Sequence, residues 1–308
     1  MINPRNILIR FDWAMKRLLR QKSNFVILEG FLSVLLKDDI KIQQLLESES
    51  NQDTPEDKYN RVDLLALNAA DELIIIEVQN NRQLDYFQRI LFGVSKATTE
   101  HISLGESYKQ IKKVYSVNLV YFELGQGKDY VYHGKTEFLG IHDGQKLNLS
   151  KKQRELFDKQ DVYQIFPEYY VIKINNFNNV AHDNLDEWIY YFKNNEVLKG
   201  AKAKGLKEVE EYLRVQKLSD KERQQYIRDM ENLSSSISMF ETARIEGRAE
   251  LEDDVQELEE KNKELQKQLE NTEKNIAFET ARKMKAKGFD FETIAEMTGL
   301  SILEIENL

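Results

Sequence analysis

The chain has no cysteine among its 308 residues. That excludes disulfides, thiolate metal sites and cysteine-nucleophile chemistry. Histidine is scarce as well: His101, His133, His142 and His182 are scattered without ligand spacing, so no zinc site is expected. No apolar run reaches the roughly 18–20 residues of a membrane span. The densest patch, Leu73-Ile74-Ile75-Ile76, is only strand-sized. The opening MINPRNILIRFDW carries Arg and Asp within its apolar stretch and has no small-residue cleavage site. It does not read as a secretory signal, and a cytoplasmic protein is expected.

An excess of positive charge is also missing. Lys and Arg total 44 against 53 Asp and Glu, a net charge of -9. Phosphate neutralisation by basic residues dominates nucleic-acid affinity, so the overall balance speaks against DNA. The distribution is more telling than the sum. The first 22 residues hold Arg5, Arg10, Lys16, Arg17, Arg20 and Lys22 against a single acid, Asp12. That cluster is either a solvated helix face or a surface for phosphates.

Apolar residues make up 41%, charged residues 31%, and mean hydropathy is -0.60. This suits a globular core of roughly 150–200 residues joined to long solvated helices. Residues 10–22 predict an amphipathic helix, with Phe11, Met15, Leu18 and Leu19 on one face. Residues 24–36 predict a buried helix with one lone acid, Glu29, and 38–47 look like its extension. A polar loop with Pro55 follows, from Glu47 to Asn60. Arg61–Leu67 and Leu73–Gln79 predict two strands around a turn-rich break, apolar on both faces and therefore central. Helical period returns over 83–104, followed by a strand at 114–124, hairpin strands between Tyr130 and Ile141, a strand near 169–174 and a helix over 185–198. The order predicts an α/β or α+β domain with a mixed sheet flanked by helices.

Composition changes near Gly200–Gly205, which suggests domains at 1–200, 201–287 and 288–308. Leu251, Val255, Leu258, Asn262, Leu265, Leu269, Thr272 and Ile276 keep an unbroken 4-3 spacing. That is either the seam of a coiled coil, with Asn262 favouring a parallel homodimer, or one face of a single helix packed on the core. Gly288–Leu308 predicts two short helices around Thr298-Gly-Leu-Ser301, like a helix-turn-helix corner. Its second helix has Glu304 and Glu306 but no Lys or Arg, so a structural hairpin fits it better than DNA reading.

The chemistry concentrates in the strand pair. Asp63 and Glu77 are carboxylates set among apolar strand residues, a costly placement unless their charge is compensated. Glu77 and Gln79 share a strand face, and the short turn lets Asp63 pair across from them. Two acids on adjacent strands suggest a shared Mg²⁺ or Mn²⁺, with the Val78 carbonyl as a further ligand. The alternative is an ion pair of Asp63 with Arg61 or Arg89, with Glu77 at an exposed edge.

Several stretches in order, FDWAMKRLL…ILEGFLSVLL, RVDLLALNAADELIIIEVQ, YFQRILFGVSKATTEHISLGESY, KKVYSVNLVYFEL, YYVIKI and NLDEWIYYF, resemble the PD-(D/E)XK nuclease superfamily. More narrowly they resemble the Rpn recombination-promoting nucleases, which are transposase-like. The likeness covers roughly residues 5–200, and the C-terminal GFDFETIAEMTGLSILEIENL is similar to the family's tail. The resemblance implies a restriction-endonuclease-like core followed by a helical coiled-coil and helical-hairpin region. It also implies a Mg²⁺- or Mn²⁺-dependent DNA endonuclease of low sequence specificity, linked to recombination or mobile elements. Asp63 and Glu77 match the metal-binding acids, Glu29 the acid that a preceding helix sometimes supplies, and Arg89 a basic position after the hairpin. With Arg17 and Arg20, Arg89 is a candidate DNA contact. Gln79 stands where the broad superfamily has lysine. Its uncharged amide can hold a water but cannot act as a base. The other class of function is a catalytically silent DNA-binding or interaction protein on a nuclease fold.

Overall fold

The computed structural model describes residues 8–46, 63–103 and 105–308. The polar stretch 47–60 with Pro55, and residues Arg61 and Val62 of the expected strand, lie outside the described residues. Residues up to Tyr226 form one compact unit, and residues from Ile227 form a second.

In the first unit six strands form one mixed sheet: β1 (Ile42–Leu46), β2 (Leu64–Asn68), β3 (Leu73–Gln79), β4 (Val114–Val120), β5 (Val131–Gly134) and β6 (Glu168–Lys173). Their spatial order is β1-β2-β3-β4-β6-β5. β2 and β3 are an antiparallel hairpin with Leu64 opposite Ile76. Its turn is closed by Asn68, whose side-chain oxygen accepts the N–H groups of Ala70 and Glu72 at 3.1 and 2.8 Å. β3, β4 and β6 run parallel. β3 has neighbours on both sides and is buried almost throughout, which is why it reads as an unbroken apolar run. The helix α3 (Tyr86–Glu100) carries the chain from β3 to β4, and α4 (Lys151–Phe157) lies between β5 and β6 in the chain.

Of the expected extension 38–47, the described residues 38–46 do not continue the preceding helix. Lys37 takes a left-handed conformation at its end, and Ile42–Leu46 becomes an edge strand on β2. Pairing with a neighbour distant in sequence overrides the local helical pattern here. Of the hairpin strands expected between Tyr130 and Ile141, only Val131–Gly134 pairs in the sheet.

The helices α1 (Phe11–Arg17), α2 (Phe25–Leu36) and α5 (Asn184–Asn194) meet in an aromatic core. Phe11 lies 4.6 Å from Phe192 and 6.0 Å from Phe31, ring centre to ring centre, and Trp188 lies 5.5 Å from Phe31. Residues 203–213 belong to this packing. A Cβ at Gly30 of α2 would collide with the backbone of Lys204 and Gly205, so glycine permits the close approach. Leu206, Val209 and Leu213 are buried, and the Leu213 carbonyl accepts the Ile9 N–H at 2.7 Å. These residues come from or follow α6 (Leu206–Tyr212).

The helix α7 (Asp220–Ala286) runs for 67 residues. At 1.5 Å per residue that is roughly 100 Å. In the second unit Leu251, Val255, Leu258, Leu265, Leu269 and Ile276 are all exposed. At its end α8 (Phe291–Thr298) and α9 (Ile302–Glu306) pack Ile294, Leu300 and Ile305 against Ala281. Gly299 supplies the left-handed turn, and Ser301 caps α9 in a capping box with Glu304. Glu304 is therefore a structural cap.

Candidate active site

The hairpin register brings the two acids together. Leu64 faces Ile76, so the next pair outward is Asp63 and Glu77. One carboxylate oxygen of Asp63, Oδ2, accepts the Val78 N–H at 2.9 Å. The other, Oδ1, lies 3.3 Å from the Lys16 ammonium of α1. Arg20 donates to the Asp63 backbone carbonyl at 2.8 Å. The Gln79 carbonyl accepts from Tyr121 N–H on the β4 side. Carbonyls alternate along a strand, so that of Val78 faces the β2 side, where Asp63 stands.

Glu77 is buried, 4% exposed, in the middle of the sheet and not at its edge. Its described cationic partner is Arg89 of α3, with Nε at 3.5 Å. That Nε is itself buried and forms no hydrogen bond, so the contact is purely electrostatic. The Tyr86 hydroxyl donates to Asn118 Oδ1 at 3.4 Å and neighbours Glu77 electrostatically. Burial is the largest influence on Glu77 and raises its pKa. Arg89 opposes the rise, the neighbouring Asp63 charge adds to it, and the value is pushed up to about 7. The Tyr86 hydroxyl is held well above its ordinary range, first by burial and then by the Glu77 charge.

Gln79 follows on the same face, and its amide donates to the Asn81 carbonyl at 3.1 Å. Glu29 is not brought to the pair. Its carboxylate accepts the Ile42 N–H at 2.9 Å and pairs with Lys41 at 3.3 Å. Ile42 is registered with Asn68, five residues along β2 from Asp63, a separation of roughly 16 Å in extended chain. Glu29 thus holds the start of β1. Of the candidate DNA contacts, Arg20 and Arg89 border the two acids, whereas Arg17 lies over the Trp13 ring at 5.5 Å. Asp63 pairs with neither of the arginines considered for it among the described residues: Arg89 is on Glu77, and Arg61 is outside them.

Four residues near the pair carry no motif in the sequence: Arg10, Asp12, Lys16 and Asn80. Asp12 is buried. It accepts from Arg10 Nε at 3.1 Å, Asn80 Nδ2 at 3.0 Å and the Trp13 N–H at 2.8 Å. Burial works to raise its pKa, but these partners outweigh burial and hold it below the ordinary value. Asn80 follows β3 directly, so this network pins α1 to the carboxyl end of the strand that carries Glu77. The one available signal was Asp12 itself, a lone acid in a basic, amphipathic helix.

Among the described residues there is no group of three or more acidic, histidine or cysteine side chains placed to hold a metal. The hairpin offers two carboxylates and a carbonyl edge. Residues 9–243 match the family model described as PD-(D/E)XK nuclease family transposase, and the chain belongs to that family. No curated protein and no solved structure gives a significant match.

Proposed function

We propose that the chain is a Mg²⁺- or Mn²⁺-dependent DNA endonuclease of low sequence specificity, working in the cytoplasm in recombination or mobile-element biology. One observation carries the reading. Glu77 is buried opposite Asp63, and its described countercharge is a guanidinium at 3.5 Å without a hydrogen bond. Glu77 in that position lacks a hydrogen-bonded countercharge, and hard oxygen donors suit a hard divalent ion. The set fits Mg²⁺, which keeps several waters and needs few protein ligands. Asp63, Glu77 and the Val78 carbonyl would hold it. When bound, the ion polarises a phosphodiester and lowers the pKa of a bound water.

The chain's own groups do the rest. The Val78 N–H and Arg20 fix Asp63 against the strand, and Arg89 faces Glu77. Gln79 has an amide that orients a water by hydrogen bonding, after release from Asn81. Arg17, Arg20 and Arg89 supply cations for the phosphates on either side of the cut. Glu29, tied to Ile42 and Lys41, takes no part at this centre. The exposed leucine seam of α7 supports a parallel homodimer through a two-stranded coil, with Asn262 setting its register.

The test is plasmid nicking with Mn²⁺ by wild type, Asp63→Ala and Glu77→Ala. Wild type should nick, and each variant should lose most of the rate. Equal nicking by all three would refute the site. A second reading, a silent DNA-binding or interaction protein, is favoured by the uncharged, occupied amide of Gln79. It prevails if wild type binds DNA but neither nicks it nor binds Mn²⁺ near millimolar concentration.

A further inference from the structure

We propose that Lys16 is a catalytic residue of this centre, its ammonium meeting the scissile phosphate beside Asp63 and Glu77. The inference deepens the nuclease reading and rests on it.

The placement is built into α1. Asp12 and Lys16 are one helical turn apart and share a face. Asp12 is locked to Asn80 and Arg10 at the end of β3. That anchor sets where the next turn projects, and there the Lys16 ammonium lies 3.3 Å from Asp63 Oδ1. This oxygen is not the one engaged by the Val78 N–H. Lys16 is half exposed, so its four-carbon stem is free to swing from the carboxylate to a substrate phosphate. Of the other cations at the pair, Arg20 is held by the Asp63 backbone carbonyl at 2.8 Å, and Arg89 is a partly buried fork that also contacts Gln83. Both are poorer candidates for movement. Gln79 brings no charge. Of the described cations around Asp63 and Glu77, Lys16 is therefore the one that meets a carboxylate oxygen of the pair from a half-exposed position.

The chemistry needs that charge. In hydrolysis a water oxygen bonds to phosphorus, and the bond from phosphorus to one deoxyribose oxygen breaks. The leaving oxygen departs with the electron pair and ends with a proton that came from the water. One water is consumed, and a phosphate monoester and a hydroxyl end result. Negative charge grows on the phosphoryl oxygens along the way, and an ammonium aimed there stabilises it.

Position 79 supplies a control, because it lies on the same strand face as Glu77. A lysine there would enter the same space from the sheet. The experiment compares Mn²⁺-dependent plasmid nicking by wild type, Lys16→Met and the double variant Lys16→Met/Gln79→Lys. Mn²⁺ binding by calorimetry and thermal unfolding are measured on all three. Lys16→Met should lose about 100-fold or more in rate, the range for removing one charge-stabilising group. It should bind Mn²⁺ at least as tightly as wild type, since a competing cation has gone from Asp63. The second lysine should restore at least about tenfold of the rate. A helix-docking role alone predicts lower stability, weaker Mn²⁺ binding and no rescue, and that set overturns the proposal. So does a Lys16→Met enzyme within about twofold of wild type, which leaves the nuclease reading intact. A wild type that never nicks overturns both.

Discussion

Two glutamates are buried in one sheet, and they are treated differently. Glu168 opens β6 and meets the Lys113 ammonium at 2.8 Å and His133 Nε2 at 2.6 Å. Lys113 is buried too and donates to the Tyr163 carbonyl at 2.9 Å. The His133 ring stacks on Tyr170 with centres 4.4 Å apart. Every group in that cluster is engaged by another. Glu77, near the other end of the parallel strands, has a guanidinium at 3.5 Å and is driven toward protonation. A fold that can close an ion pair around Glu168 has left Glu77 short of charge. The short pair stands at the carboxyl end of β3, the end at which open α/β sheets bind ligands. Burial alone therefore does not mark a site. Burial with unfinished compensation is what supports the proposed one.

The contrast makes predictions about stability. The largest concerns the loss of each cation. Lys113→Ala should cost about 3–5 kcal/mol, because it strands a buried carboxylate. Arg89→Ala should cost about 1 kcal/mol or less at neutral pH, since Glu77 answers by taking up a proton. Urea unfolding at pH 7 measures both, and equal losses would erase the distinction between the glutamates.

Next in size is the pH dependence. The folded value of Glu77, about 7, lies above its unfolded value near 4.5. Between the two the folded protein holds more protons than the unfolded chain. Stability from this group therefore falls as pH rises through that window, by about 3 kcal/mol. Glu77→Gln should flatten that part of the stability curve when divalent ions are chelated. Mn²⁺ added above pH 7 should stabilise wild type by about 3 kcal/mol at a hundred times its dissociation constant, and Glu77→Gln much less. An unchanged slope in Glu77→Gln would show that another group titrates there.

The smallest effect belongs to His133, whose side chain is 41% exposed. His133→Ala should cost about 1.5 kcal/mol at pH 7, one hydrogen bond to a charged acceptor at a partly solvated position. A loss as large as that of Lys113→Ala would mean that the histidine, not the lysine, closes the Glu168 cluster.

Legibility followed the distance between partners along the chain. The hairpin was readable because Asp63 and Glu77 are separated by one turn, and period-two alternation sets which residues face each other. The long helix that carries the leucine repeat was readable because helical period is a local pattern. The strand at Ile42–Leu46 was not, because its β-structure comes from pairing with β2 and not from its own residues. The continuation of the first unit beyond Gly205 was hidden for a similar reason. Composition turns polar there, yet Gly30 lets the backbone of 204–205 rest against α2.

The sequence by itself determined the central hairpin, its pair of acids, the run of sheet strands and the periodic helix that follows. Each of these depends on residues close in the chain. Only the tertiary structure decided which helix serves the acids. Glu29 looked suited to them and is spent on Ile42, while Lys16, an ordinary basic residue in a basic helix, reaches Asp63. That choice is set by how α1 and α2 dock on the sheet. Docking is fixed by contacts of Phe11, Phe31 and Trp188 and by Asp12 on Asn80, partners brought together from opposite ends of the domain.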